Sequence, residues 1–476
     1  MHIESRRLAP HLSVLLPLAL LSAHCGDDTI DPVRPGTTAS SGTGGAGGAG
    51  GATTSSTGGA GGAGGAGGSG GAGALPDLDP SLVWYGDNRQ RLDALIDERG
   101  AASPGYDPGS KPIAVFDWDN TVIKNDVGDA TFFWMLQHDA ILQPAEKNWA
   151  FTSPYLTIAA VTALSLACDA LAEPGQPLPT STDTACADEI VGVYYDGQTT
   201  GGLAAFAGFN YRRIEPAYAW FAQLGAGYTP DEIRSMAEQA IAENLAAPEG
   251  AVQTVGTRTG LNGYVRLYDP IKDLMDTMQQ NGFELWVVSA SPQHVVEPFA
   301  AMVNVAADHV VGIRQVPAMD GRLTSNIAGC GPVPDGTNDG AGNFTGNSMI
   351  TYIDGKRCWV NKVIYGDAGP TALDRNPDLT KRPAFAAGDS DTDVSFVQDA
   401  TAMKLVLNRN KQEIMCNAYR DYGGIWLINP MFIAPKGQLV SGYTCSTTGC
   451  KDESGGASPC LDEAGDVIPD QADNVY

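Results

Sequence analysis

Four short, mainly apolar runs lie far apart in a chain of 476 residues, three of them stopping at polar side chains, and this pattern constrains the fold more than any other feature. They are Pro112–Phe116 before Asp117, Glu284–Val288 before Ser289, Pro383–Ala387 before Gly388 and Asp389, and Met403–Leu407. Runs of this length without polar alternation predict strands buried on both faces, as in a parallel sheet covered by helices. The segments between them carry helical spacing. A helix is expected around Asn88–Asp97 through Leu92, Leu95 and Ile96. Another starts at Asp269-Pro270, puts Ile271, Leu274, Met275 and Met278 on one face, and stops at Gly282.

From Lys124 to about Gly260 the pattern is mainly helical. Asp126–Leu136 opens with acidic residues and continues through Phe132, Phe133 and Trp134. Thr229-Pro230-Asp231-Glu232 spells a capping box with proline at the first helical position, and Ile233, Met236, Ala237, Ala240 and Ile241 follow at helical spacing. The expected divisions are a core begun at 76–124, a helical insertion at 125–262, the rest of the core at 263–442, and a Cys-containing acidic tail at 443–476. The Gly/Asn-rich stretch 328–347 reads as a surface excursion bearing Cys330.

The first part of the chain has another character. Arg6 and Arg7 precede Leu8–Leu21, a run too short and interrupted to span a bilayer, so 1–25 reads as a secretory signal. Leu21-Ser22-Ala23-His24-Cys25 is similar to a bacterial lipoprotein box, which leaves lipidation of Cys25 or plain signal cleavage as the two expectations. Residues 26–75 form a linker in which 36–74 are only Gly, Ala, Ser and Thr, the composition of a flexible tether. The protein is therefore expected to be exported, in the periplasm or at the cell surface. Beyond Cys25 there are eight cysteines, an even number that favours disulfides in an exported chain. Cys168 is expected to pair with Cys186 and Cys330 with Cys358, leaving Cys416, Cys445, Cys450 and Cys460 to pair near the C-terminus. With 29 basic against 55 acidic side chains the net charge is −26, which weighs against nucleic acid and anionic membranes as partners. It serves solubility, and would favour a cationic ligand. An N-terminal lipid anchor is the sole membrane contact expected.

The polar residues at the run ends are those that phosphoryl transfer needs. Asp117 stands where open α/β sheets place their sites, at a strand's carboxyl end. A carboxylate there can attack phosphorus, and Asp119, two residues on, can protonate the leaving oxygen and then activate water. Alone, such a pair is also common in turns. Ser289, ahead of a helix expected from Pro292, can bind phosphate oxygens or simply cap that helix. Lys356, after Gly355, offers a cation, with Lys362 as its competitor. Gly388-Asp389-Ser390-Asp391-Thr392-Asp393 could alone be a turn or a calcium site; beside the other segments it favours magnesium.

In order, spacing and strand context, these segments resemble the haloacid dehalogenase superfamily over roughly residues 110 to 430, with Asp117-Trp118-Asp119-Asn120-Thr121 as its first motif and Gly388-Asp389…Asp393 as its last. The resemblance implies an α/β fold, a Rossmann-like parallel-sheet core with a helical cap inserted between the first and second motifs. It implies Asp117 as nucleophile, Asp119 as acid and base, and Ser289 and Lys356 as phosphate holders. Magnesium would be bound by Asp117, Asp389 and the Asp119 backbone carbonyl. Thr121 and Asp393 would support the site. Asp at 119 points to the phosphatases of the superfamily, with a small phosphomonoester as substrate.

Within the superfamily, Tyr268-Asp269-Pro270-Ile271, Trp286–Pro292 and Gly355-Lys356 look most like the phosphoserine phosphatase and bacterial phosphorylcholine phosphatase branch. Export favours phosphorylcholine. Its trimethylammonium group needs aromatic faces and negative charge, and the cap carries Trp134, Trp149, Tyr155, Tyr194, Tyr195, Phe209, Tyr211 and Trp220 with Asp129 and Asp196. Aromatic residues at helical spacing are more often core; Asp129 and Trp134, just past the first motif, are the expected substrate contacts. The alternatives are another small phosphomonoester, such as an amino-alcohol, amino-acid or sugar phosphate, and a non-catalytic surface ligand-binding protein on the same fold.

Overall fold

The structure is a computed structural model that describes residues 75–330, 349–367 and 371–476. The signal, Cys25, the tether up to residue 74 and most of the Gly/Asn-rich excursion lie outside the described residues.

The central sheet has six strands: β1 (Ile113–Phe116), β2 (Glu284–Pro292), β3 (Val310–Ile313), β4 (Phe385–Gly388), β5 (Met403–Asn408) and β6 (Trp426–Pro430). All pairings are parallel, in the order β6-β5-β4-β1-β2-β3. The four runs recognised in the sequence are the inner strands. The edges, β3 and β6, are added by the structure. Val115 is in register with Trp286 on one side and Ala386 on the other. Successive side chains point to opposite faces of a strand, so Phe116, Val287 and Leu405 enter one apolar layer while Val115, Trp286, Val288, Ala386 and Val406 enter the other. Burial on both faces explains why these runs lack polar alternation.

Helix α1 (Asn88–Arg99) precedes the sheet. Between β1 and β2 the chain inserts α2 (Val127–Gln137), α3 (Ile158–Cys168), α4 (Thr184–Val191), α5 (Pro216–Leu224) and α6 (Pro230–Ala246). The insertion is not helical throughout: an antiparallel hairpin pairs Val252–Val255 with Arg258–Asn262. At α6, Thr229 and Glu232 make both reciprocal bonds of the capping box. The insertion leaves the core through a narrow neck, where Ile123–Lys124 pairs antiparallel with Arg266–Leu267. This pairing ties the insertion's two ends together immediately after the first motif.

After the neck come α7 (Asp269–Gln280), α8 (Gln293–Ala300), α9 (Asp354–Val363), α10 (Val394–Asp399) and α11 (Gln412–Arg420). Arg234 of α6 meets Glu297 of α8 at 2.6 Å, which holds the insertion to the core. The disulfides are Cys168–Cys186, Cys330–Cys358, Cys416–Cys445 and Cys450–Cys460. The last two bind the mostly irregular C-terminal tail to α11 and to itself. No helix among the described residues is long and apolar enough to cross a membrane.

Candidate active site

The chain runs from β1 to β2 and β3 on one side of the sheet, then returns to β4, β5 and β6 on the other side of β1. At such a switch point the loops leaving β1 and β4 diverge and open a crevice at the strands' carboxyl ends. Asp117 follows β1 there and Asp389 follows β4. Thr121 Oγ1 lies between them, 2.7 Å from Asp389 Oδ1 and 3.2 Å from Asp117 Oδ2.

Lys356, in the first turn of α9, is fully buried and donates from Nζ to Asp117 Oδ1 and to Asp393 Oδ1, each at 2.6 Å. Burial alone would lower the lysine's pKa; the charges of Asp117 and Asp393 outweigh it and raise it. Asp393 turns its other oxygen to the backbone N–H groups of Asp389 and Ser390, both at 3.0 Å. The lysine and the β4 loop thus share one carboxylate. Two glycines permit this closeness. A Cβ on Gly388 would lie 2.6 Å from that of Asp393, and one on Gly355 would strike the Ile350 carbonyl. Burial, then Asp393, push the Asp117 carboxyl up, while Lys356 pulls it down.

Asp119 has different partners. Its Oδ2 accepts from Ser291 Oγ at 2.9 Å and Ser289 Oγ at 3.3 Å, and its Oδ1 from the Val127 N–H at 2.7 Å. Burial, then the neighbouring Asp126 carboxylate, hold its pKa well above the usual range. A raised pKa favours the protonated form, the form that can serve as an acid.

Asp129 and Trp134 both lie on α2 but do not share a face: five residues are about 140° of rotation. Asp129 Oδ1 accepts from the Tyr194 hydroxyl at 2.8 Å, and the Tyr194 ring packs 4.1 Å from Phe132. Trp134 donates to Glu243 Oε1 at 3.0 Å and stacks on His138 at 4.1 Å. Lys362 donates to the Gly329 carbonyl at 3.0 Å and lies over Trp359, away from Asp117. Three residues at the site had not been singled out: Ser291, Asp126 and Arg409, whose Nη1 meets Asp389 Oδ2 at 2.7 Å. Ser291 stands two residues beyond Ser289. Arg409 directly follows β5, the same placement that drew attention to Asp117.

Carboxylate oxygens of Asp117, Asp389 and Asp393 come within 4.8 Å of one another. An ionised carboxylate has about four acceptor positions, and Thr121 and Arg409 each engage a different oxygen of Asp389. Acceptor capacity remains on Asp389 next to Asp117. The all-oxygen donor set suits a hard divalent cation.

Residues 199–338 match the model of the haloacid dehalogenase-like hydrolase family. That span includes Ser289 but not Asp117, Lys356 or Asp389. Among solved structures, a conserved protein of unknown function from Anaerococcus prevotii DSM 20548 is 18% identical, with a TM-score of 0.51 over 73% of this chain and 93% of that one; it shares the fold. A protein of unknown function from Bordetella pertussis Tohama I is 15% identical, with a TM-score of 0.37 over 67% of this chain and 98% of that one. A substrate-bound phosphoserine phosphatase complex is 10% identical, with a TM-score of 0.26 over 62% and 86%. A comparison with curated proteins returns no match. Residues 199–338 are thus similar to the haloacid dehalogenase-like hydrolases, and the six-stranded parallel sheet is consistent with an α/β fold of that kind.

Proposed function

We propose that the protein hydrolyses a small phosphomonoester, with phosphorylcholine the leading substrate, in a magnesium-dependent reaction through an aspartyl phosphate. One observation carries this reading: Asp117, at a strand end, sits 2.6 Å from a buried lysine and is joined through Thr121 to Asp389, while Asp119 is held separately by Ser289 and Ser291. A carboxylate oxygen of Asp117 bonds to phosphorus as the bond to the alcohol oxygen breaks. Asp119 passes its proton to that oxygen. The Asp119 carboxylate then takes a proton from water, whose oxygen attacks phosphorus, frees phosphate and restores Asp117. Lys356 and Ser289 hold the phosphoryl oxygens, Asp393 orients Lys356, and Thr121 supports the first loop. Magnesium would be held by Asp117, Asp389 and the Asp119 backbone carbonyl, and supplies charge that offsets the phosphoryl oxygens.

For the substrate, Asp129 supports a cationic leaving group, and its Oδ1 accepts from the Tyr194 hydroxyl. Trp134 is the weaker of the two proposed α2 contacts, because His138 covers its ring. The signal-like N-terminus, the tether and four disulfides support export, with Cys25 as the proposed anchor point.

The test is a panel of choline, ethanolamine, serine and sugar phosphates, with magnesium and after chelation, on the native chain and Asp117→Asn. The expected outcome is magnesium-dependent phosphate release, fastest for phosphorylcholine and lost in the variant. Undiminished release by Asp117→Asn would sink the covalent route; equal kcat/KM across the panel would sink the choline assignment. Binding without release for every ester would return the reading to a ligand-binding protein.

A further inference from the structure

Arg409 is a cation at the strand ends to which the proposed reaction assigns no task. Of the inner strands, β1 leads to Asp117, β2 contains Ser289 and β4 leads to Asp389; β5 is the remaining one, and Arg409 is the residue that follows it. Its Nη1 donates to Asp389 Oδ2 at 2.7 Å, with the arginine side chain 9% exposed and the aspartate 0%. Burying a guanidinium this far is costly unless a fixed opposite charge meets it. Asp389 meets that need. Its two oxygens are held from different directions, Oδ1 by Thr121 and Oδ2 by Arg409, so the plane of the carboxylate is set.

The turn that presents Arg409 is itself pinned. Asn410 takes a left-handed conformation with φ 60°, and its N–H donates to Asn408 Oδ1 at 2.8 Å. Asn408 in turn donates to Asp473 Oδ1 of the C-terminal tail at 3.0 Å, and the Tyr443 hydroxyl lies 3.3 Å from the Oδ1 atoms of both asparagines. Because β5 and β1 flank β4 on opposite sides, Arg409 comes to Asp389 from one side and Asp117 from the other. The guanidinium is held on the β5 side of Asp389, and Thr121 Oγ1 lies on its Asp117 side.

We propose that Arg409 is a positioning residue, which fixes the Asp389 carboxylate so that a divalent cation can bind between it and Asp117. The proposal rests on the metal-dependent reading given above. Groups that orient a metal ligand from outside change metal affinity about 10- to 100-fold when removed. Charge alone argues the opposite sign, because a cation beside a cation site repels the ion and its removal would tighten binding. The sign of the effect therefore decides.

The experiment titrates magnesium by calorimetry into the native full-length chain, Arg409→Met and Arg409→Gln, with circular dichroism confirming the fold of each. Arg409→Met is expected to bind magnesium about 10- to 100-fold more weakly, and Arg409→Gln, which keeps an N–H donor, to fall between it and the native chain. Turnover by Arg409→Met is expected to recover as magnesium is raised, a rescue that damage to the fold would not show. Unchanged or tighter binding by Arg409→Met overturns the proposal. Should that variant fail to fold, Arg409→Gln decides by the same criterion. A native chain that takes up no magnesium overturns the metal reading together with this one, whereas native binding matched by both variants overturns this one alone.

Discussion

Asp117 and Asp119 are the same residue type two positions apart, and their surroundings separate them. Asp117 is paired with a buried lysine; Asp119 is bound by hydroxyls and one backbone N–H, with Asp126 raising its pKa further after burial. The proposed division into nucleophile and acid follows from that contrast. Asp119→Asn is expected to lower kcat for phosphorylcholine about 10²- to 10⁴-fold, the range of general acid catalysis. Loss should be much smaller for p-nitrophenyl phosphate, whose leaving group needs no proton. Steady-state kinetics on the two substrates check this, and equal losses would remove Asp119 from the role of acid. At this scale the sequence showed which residues end the strands. It did not reveal Ser291 as an Asp119 partner, because a serine in a Ser-Ala-Ser segment has no mark that distinguishes its direction.

Among elements, β5 shows what burial on both faces demands. All six of its residues are buried, Lys404 included. Lys404 is paired with Glu463 of the tail and lies over the Trp426 ring, and burial outweighs that partner to bring its pKa down to about 8. The folded chain therefore binds this proton less readily than the unfolded chain does. From about pH 8 to about 10.5 the unfolded state holds more protons, so this lysine makes stability rise with pH across that window. Comparing the native chain with Lys404→Met, which leaves Arg375 beside Glu463, the stability difference should shift in favour of the native chain by about 3 kcal/mol between pH 7 and pH 10.5. Urea unfolding at the two pH values measures it; a pH-independent difference would refute the depressed pKa. Strand β5 was readable from its apolar run. The short edge strands were not, since β3 is interrupted by Gly312 and β6 ends in Pro430, residues that usually mark turns.

For the whole molecule, the tail is the part whose placement depends most on covalent links. Cys416–Cys445 joins it to α11, and Asp473 and Tyr443 hold the turn that carries Arg409. Replacing both Cys416 and Cys445 by alanine is expected to cost about 2–4 kcal/mol in reversible unfolding, and an unchanged urea midpoint would show the link to be dispensable. The sequence by itself determined the inner strands, the capped helices, the insertion between β1 and β2 and two local cysteine pairs, because periodicity and spacing are local properties of a chain. Tertiary structure alone decided how the last four cysteines pair, which lysine meets Asp117 and that Arg409 meets Asp389. Lys356 and Lys362 are about 120° apart around one helix, so the face α9 turns to the sheet selects between them. Lys356 and Asp117 are separated by 239 residues. No spacing rule reaches across that distance; the order in which parallel strands cross over brings them together.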